Sequence, residues 1–199
     1  SQEIHLIGVA EIHYWHGFDR LLKGLANYYI HAPQYKVYFH IIGDFFSLRE
    51  REEYMSIIKE NHLAPYVILH GRQAGQMLDL LFELCDFGIG SLGRHRSGIT
   101  NIKTLKNREY AARGIPFIYS EIDEDFENMP YIMKIPANEE AVDIKQILNF
   151  YNQLHITPLE IRNSIRHLSW NNQMKKVLDE MQKKDKINPN NNNIANFAT

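Results

Sequence analysis

The sequence has almost no cysteine: Cys85 is the only one in 199 residues. A single cysteine excludes an intrachain disulfide, and its position in a largely apolar run predicts a buried packing thiol rather than a reactive one. Chains without disulfides are typical of reducing compartments. We therefore expect a cytoplasmic protein, which in its full-length form could lie at the membrane surface.

Long apolar runs and a charge bias are also missing. No stretch approaches the roughly 20 apolar residues that span a bilayer. The 22 basic and 24 acidic residues are interspersed and give a formal net charge of -2. This balance argues against a dedicated nucleic-acid binder, which usually carries a strong positive bias.

Two common nucleotide-binding motifs do not occur. No Gly-x-Gly-x-x-Gly follows the first predicted strand, which disfavours a dinucleotide of the NAD type, and no Walker glycine loop with Lys-Ser/Thr is present. His13 and His16 are not spaced as a convincing metal site, because no cysteine or further carboxylate completes a ligand set. We expect neither a metal nor a resident cofactor.

The sequence does contain short apolar strands that alternate with amphipathic helices. The strands are predicted at residues 4–9, 37–42, 67–69, 87–89 and 117–119, and the helices at 17–29, 48–61, 76–84 and 105–113. This alternation predicts an α/β protein with a doubly wound parallel sheet, covered by helices on both faces.

Residues after 135 are predicted to be helical. The expected helices span 139–154, begin at Thr157-Pro158, and span 171–182. We expect one domain over residues 1–183 and a disordered, asparagine-rich tail over 184–199. The chain reaches an apolar core strand within four residues of its first residue, which we interpret as a sign that it is a fragment.

The longest and most basic loop at a predicted carboxyl edge is 90–104, and ligands of such sheets bind at that edge. It leads into a helix that begins near Thr104, where free N–H groups and the helix dipole favour phosphate at Thr104 and Leu105. Lys106 is unfavourable in that first turn unless an anion binds. The cluster of Arg94, His95 and Arg96 either attracts a diphosphate or forms a solvated loop.

Three further positions, Glu109, His16 and Gly17, could contact a ligand. Glu109 could meet the hydroxyls of a sugar attached to the phosphate, or form an ion pair with Arg113 four residues later. His16, like His13, could contact phosphate, act as an acid or base, or simply pack. Gly17 at a helix start permits close approach of the backbone to a ligand.

Several segments occur in an order that resembles a known family. They include His-Gly-Phe-Asp-Arg-Leu-Leu at 16–22, Val-Ile-Leu-His-Gly at 67–71, and Glu-Tyr-Ala-Ala-Arg-Gly-Ile-Pro at 109–116. Together they resemble the C-terminal, donor-binding half of group 1 glycosyltransferases of the GT-B fold. The resemblance covers about residues 4–119, and the later helices are compatible with it.

The resemblance implies a role for several residues. It places Glu109 on the ribose of a nucleotide sugar, Gly17 near the diphosphate, Arg72 beside the base, and phosphate on the backbone of Thr104 and Leu105. Two residues depart from the family pattern: His16 stands where many members have lysine, and Asn101 stands where members often have a second glutamate.

The resemblance also implies partners. The substrate would be a nucleotide sugar, the acceptor a glycan or lipid-linked sugar bound by an N-terminal domain that is absent here, and transfer would need no catalytic metal. This chain alone would bind the donor but transfer little or nothing. A nucleotide-sugar epimerase and a non-catalytic interaction module of the same fold are the alternatives.

Overall fold

The computed structural model describes residues 2–167, and within that range six parallel strands form one sheet in the order β3-β2-β1-β4-β5-β6. The strands are β1 Glu3–Val9, β2 Lys36–Ile42, β3 Val67–Gly71, β4 Phe87–Ile89, β5 Phe117–Tyr119 and β6 Ile132–Lys134. The order reverses direction between β1 and β4, which is the topological switch point where open α/β sheets bind ligands. The predicted fold class is confirmed.

The helices of the described range cover both faces of the sheet. They are α1 Phe18–Tyr29, α2 Leu48–Glu60, α3 Gly75–Leu84, α4 Leu105–Ala112, α5 Ile144–Gln153 and α6 Pro158–Ser164. Neighbouring residues of β1 point to opposite faces: Leu6 packs with α1, α2 and α5, whereas Ile7 packs with α3, α4 and α6. This alternation produces two hydrophobic cores, one on each side of the sheet.

The predicted elements agree with the observed ones except near the C-terminal end. Strand β6 was not predicted; it has only three residues and no alternating pattern. The helix predicted over 139–154 begins only at Ile144, after Asp143 as its N-cap. Residues before it lie over α1 instead, where Val142 N donates to the Arg20 carbonyl over 3.0 Å.

Two local predictions are confirmed. Helix α6 begins at Pro158 with Thr157 as its N-cap, as predicted, and the structure adds a capping box between Thr157 and Glu160. Cys85 is buried in the second core, and burial raises the pKa of its thiol to about 12, so it is a packing thiol.

The helix predicted at 171–182, the domain end at 183 and the tail at 184–199 lie outside the described residues. No helix between residues 2 and 167 is long and apolar enough to cross a membrane.

Candidate functional site

Three loops meet at the switch point between β1 and β4. The loop after β1 is joined to the loop after β4, because Leu92 N donates to the His16 carbonyl over 2.9 Å and Gly93 N to that of Trp15 over 3.1 Å. The loop after β5 joins the same group, since Ser120 N donates to the Ser91 carbonyl over 3.1 Å. The sequence predicts a ligand site at this edge, and these bonds give its backbone a fixed frame.

Gly17 is required by the fold at this junction. Its φ of +65° lies in the left-handed region, and a Cβ there would stand 2.6 Å from the carbonyl carbon of Leu92. The sequence predicts that Gly17 permits close approach of a ligand. In the structure the group that approaches is the backbone of Leu92 and Gly93, which brings the first loop and α1 against the loop after β4.

The histidines of the first loop are packed side chains. His16 is buried, and its Nδ1 accepts a hydrogen bond from the His13 backbone over 2.9 Å. His13 is stacked between Trp15 and Phe46, with 4.1 Å between ring centroids on each side. Burial lowers the pKa of His13. These contacts favour packing for His13, whereas a phosphate contact by His16 stays a prediction.

The basic cluster on the loop after β4 divides into two parts. Arg96 makes a bidentate ion pair with Asp19, with both distances 2.9 Å, and together with His95 it also binds Glu139. These two side chains therefore hold α1 and the segment before α5 together and do not form a solvated loop. Arg94 alone turns inward.

Arg94 is buried beneath the loop. It is 4 % exposed, its guanidinium lies 5.6 Å from the centre of the Trp15 ring, and its Nε has no hydrogen-bond partner among residues 2–167. Burial lowers the pKa of Arg94, which nevertheless stays far above neutrality. A permanent positive charge is thus held inside the site without a full set of acceptors.

Helix α4 begins where the sequence predicts it. Thr104 is the N-cap, and its Oγ1 accepts from Asn107 N over 3.3 Å. The Thr104 hydroxyl satisfies one N–H of the first turn. Leu105 is the first helical residue, and the N–H groups that precede Asn107 point toward the loop side of the helix.

Lys106 is the most unusual residue of this turn. Its side chain is buried, its Nζ lies 5.5 Å from the centre of the Phe18 ring, and Nζ has no hydrogen-bond partner within the described part of the chain. Burial, assisted by the positive charge of Arg94, lowers the pKa of Lys106 to about 7. The structure therefore brings Arg94 and Lys106 together as two buried cationic groups beside the N-terminus of α4.

Glu121, which follows β5, was not predicted from the sequence as a site residue. This residue is 2 % exposed, and neither carboxylate oxygen has a hydrogen-bond partner in any other residue between 2 and 167. Burial raises the pKa of Glu121 to about 6, against the opposing effects of its own backbone N–H, Lys106 and Arg94. The available signal was its position: an acid two residues after the end of a buried strand, at the carboxyl edge of the sheet.

Arg108, on the same helix, forms ion pairs inside the protein. Its guanidinium is buried and makes a bidentate ion pair with Asp123, with distances of 2.9 and 3.1 Å, and a further ion pair with Asp125. Asn107 Nδ2 also donates to Asp123 over 3.1 Å. These bonds fasten the loop after β5 to α4.

Glu109 lies at the rim of the site. The ion pair predicted from helix spacing is present, since Arg113 Nε lies 3.3 Å from Glu109 Oε1. The side chain is 26 % exposed, and its negative charge also acts on Lys106. Glu109 is therefore near the buried cations and reachable from solvent, and its ribose role stays a prediction.

Two other predicted residues lie farther out. Arg72 follows β3, two strands away from β1, and its Nε lies 3.9 Å from Asp44 Oδ2. Asn101 is exposed and pairs with Ile122 in a short parallel bridge, in which Ile102 N donates to the Ile122 carbonyl over 2.9 Å. That bridge places Asn101 beside the segment that carries Glu121.

No group of three or more His, Cys, Asp or Glu side chains in the described range could hold a metal ion.

No protein-family model and no curated protein matches the sequence. Solved structures do match the fold. A glycosyltransferase from Rickettsia africae is 16% identical with a TM-score of 0.64, over 92% of this chain and 48% of that one. Anabaena HepE in complex with UDP is 17% identical with a TM-score of 0.65, over 90% of this chain and 49% of that one.

A third similar structure shows which half of such proteins the fold resembles. It is the C-terminal domain of a group 1 glycosyl transferase, LpcC, from Francisella tularensis, 14% identical with a TM-score of 0.56, over 84% of this chain and 85% of that one. The chain spans about half the length of the Rickettsia and Anabaena proteins. Its fold is thus a Rossmann-like half of the GT-B type.

Proposed function

We propose that this chain binds the donor nucleotide sugar of a glycosyltransferase, and that the diphosphate lies against Arg94, Lys106 and the first turn of α4. The observation that carries the proposal is the pair of buried cationic groups, Arg94 and Lys106, at a helix N-terminus on the topological switch point. The similarity to Anabaena HepE supports the same ligand class, since that protein has been solved with UDP and with UDP-glucose.

The buried lysine gives the site a specific response to an anion. The pKa of Lys106 is about 7 without one, so a large part of the population is neutral at physiological pH. A bound diphosphate supplies the missing counter-charge and raises that pKa, so binding draws a proton onto Nζ. During transfer, Lys106, Arg94 and the α4 dipole stabilise the negative charge that grows on the leaving diphosphate, without a metal ion.

The acceptor and the transfer itself belong to a larger assembly in this proposal. A glycan or lipid-linked sugar would be bound by a second domain facing the carboxyl edge of the sheet, and this chain alone would bind donor without transferring it. An epimerase of the same fold would instead release free UDP from a UDP-sugar without any acceptor. The similar structures from Rickettsia africae and Francisella tularensis are those of glycosyltransferases and favour the first proposal.

Calorimetry with UDP, GDP, ADP and CMP tests the proposal directly. We expect at least one nucleotide to bind, and we expect Lys106→Met to weaken that binding at least about tenfold, because a charge-assisted contact to phosphate is lost. Glu109→Ala should also weaken it if Glu109 holds the ribose. Repeating the titration in buffers of different ionisation enthalpy should reveal the proton taken up by Lys106.

Lys103→Met is the matched control. Lys103 lies three residues before Lys106, is 51% exposed, and pairs with Asp125 over 3.1 Å. Its removal should leave nucleotide affinity within about twofold, since an exposed lysine contributes little specific energy. Failure of all four nucleotides to bind the folded chain would overturn the proposal.

A further inference from the structure

Glu121 has a carboxylate that the described part of the protein leaves unsatisfied. Its oxygens accept no hydrogen bond from any other residue between 2 and 167, although the residue is 2 % exposed. A carboxylate can accept several hydrogen bonds, and burying one without donors is costly. A buried acceptor of this kind points to a ligand that supplies donors.

Two basic side chains of this region, Lys134 and Arg108, are engaged elsewhere. Lys134 Nζ donates to the backbone carbonyl of Glu121 and, over 3.0 Å, to Glu127, so it fixes the main chain but not the carboxylate. Arg108 is taken up by Asp123 and Asp125. The neighbouring Ile122 is 37% exposed whereas Glu121 is buried, which indicates that the two side chains point to opposite sides of this segment.

The charges around Glu121 restrict what the ligand group can be. Lys106 and Arg94 act on the carboxylate as positive charges, and Asp123 acts on it as a negative one. A phosphate placed directly on Glu121 would add a second negative charge without offering a donor. A neutral group that donates O–H, next to a phosphate held by Lys106 and Arg94, fits both requirements.

We propose that Glu121 accepts a hydrogen bond from a hydroxyl of the sugar carried by the nucleotide, and so helps to select the donor. This inference rests on the proposed function, because the diphosphate must lie on Lys106 and Arg94 for its sugar to reach Glu121. The sugar that is transferred is attached directly to the diphosphate. Its hydroxyls are therefore uncharged donors close to the phosphates. Asn101, beside Ile122 on the adjoining loop, flanks the same end of the site.

The test compares sugar-bearing and sugar-free nucleotides on the whole chain. Titrate the wild type and Glu121→Gln, which conserves shape, with UDP, UDP-glucose, GDP and GDP-mannose. The affinity for the free nucleotide should not fall, because the substitution removes a negative charge near the phosphates. The ratio of the sugar-nucleotide Kd to the nucleotide Kd should rise about tenfold, because the charged carboxylate acceptor is replaced by the weaker neutral amide oxygen of glutamine.

Two variants keep the result decisive. Glu124→Gln changes an exposed acid on the same loop and should leave the ratio unchanged. Thermal unfolding reports whether Glu121→Gln folds; if it does not, Glu121→Asp, which keeps the charge but withdraws it, should raise the ratio in the same direction. An unchanged ratio, or an equal loss of both ligands, would overturn the inference while leaving nucleotide binding established. No binding of any nucleotide by the wild type would overturn the proposed function and this inference with it.

Discussion

Helix α4 carries two buried clusters of charged side chains that differ in one respect. Arg108 donates two hydrogen bonds of 2.9 and 3.1 Å to Asp123 and also pairs with Asp125. Lys106 with Arg94 and Glu121 is buried to a similar degree, yet their charged atoms include several with no hydrogen-bond partner in the described range. Lys106 and Arg108 lie on the same helix, yet their clusters differ. The Arg108 cluster stabilises the fold, whereas the Lys106 cluster includes donors and acceptors without partners among the described residues.

The difference follows from the cost of removing a charge from water. A buried ion pair recovers that cost only when its geometry is good and its remaining donors and acceptors are satisfied. The Arg108 cluster meets this condition within the chain. The Lys106 cluster does not, and its pKa values show the cost: burial moves Lys106 down to about 7 and Glu121 up to about 6, both toward the neutral form.

The largest expected effect on stability is at the Arg108 cluster. Arg108→Met should lower the free energy of unfolding by about 3–5 kcal/mol, because it leaves Asp123 buried without its counter-charge. Urea denaturation at pH 7 measures the loss. Arg49→Met, at an exposed position on α2, is the control and should stay within about 0.5 kcal/mol. A loss below about 1 kcal/mol would remove the distinction between the two clusters.

A third cluster consists of three histidines, and its hydrogen bonds require His40 to be neutral. His40 lies between His5 and His70 on neighbouring strands, with nitrogen–nitrogen distances of 2.8 Å on both sides. Burial, with smaller effects of His70 and His5, lowers the pKa of His40 to about 4. Glu3, 3.3 Å from His5 Nε2, is the acid at the far end of this chain of rings.

The histidine cluster predicts a loss of stability in acid. Because the folded pKa of His40 lies below the unfolded value near 6.5, its contribution is complete above pH 6.5 and is lost as the pH falls toward 4. The loss should reach about 3 kcal/mol. Urea denaturation of wild type and His40→Gln between pH 7 and 4 measures it, with the exposed His155→Gln as control. Equal pH slopes in wild type and His40→Gln would contradict the expectation.

A substitution in the Lys106 cluster should change stability in the opposite direction. Lys106→Met leaves Arg94 and Glu121 as a balanced pair and removes a lysine that is costly to bury, so the free energy of unfolding should rise by about 1–3 kcal/mol. The folded pKa of Lys106, about 7, lies below the unfolded 10.5. The unfolded chain therefore binds more protons between these values, and wild-type stability rises across them.

Urea denaturation from pH 7 to 10 tests this pattern. The advantage of Lys106→Met should be greatest near pH 7 and shrink as the pH increases, while nucleotide affinity stays low throughout. Lys103→Met should show neither change. A variant that is less stable than wild type at pH 7 would mean that Lys106 is a structural partner of Glu121, like Arg108 with Asp123.

The sequence was sufficient for elements defined by local pattern. The apolar periodicity of α1, the N-cap at Thr104 and the capping box at Thr157 are all encoded within a few residues. The roles of the charged residues are not encoded locally. Arg96 pairs with Asp19 at a separation of 77 residues, and Arg108 pairs with Asp123 at a separation of 15. An arginine in a basic loop has the same local appearance whether it is free for a ligand or already committed to a distant acid. Glu121 was missed for the same reason, because its lack of donors is a property of the folded environment.

The smallest expected effect separates hydrogen-bond geometry from burial. Arg113 Nη1 donates to Asp79 over 2.8 Å, a distance as good as those around Arg108, but Asp79 is 59% exposed. Asp79→Asn should therefore change the free energy of unfolding by less than about 0.5 kcal/mol. Arg113 stays in place through its contact with the Phe82 ring, whose centre lies 4.1 Å away. If the substitution instead cost more than about 1 kcal/mol in urea denaturation, bond geometry alone would determine the energy of these pairs. The contrast between the Arg108 and Lys106 clusters would then depend on hydrogen bonding whatever the degree of burial.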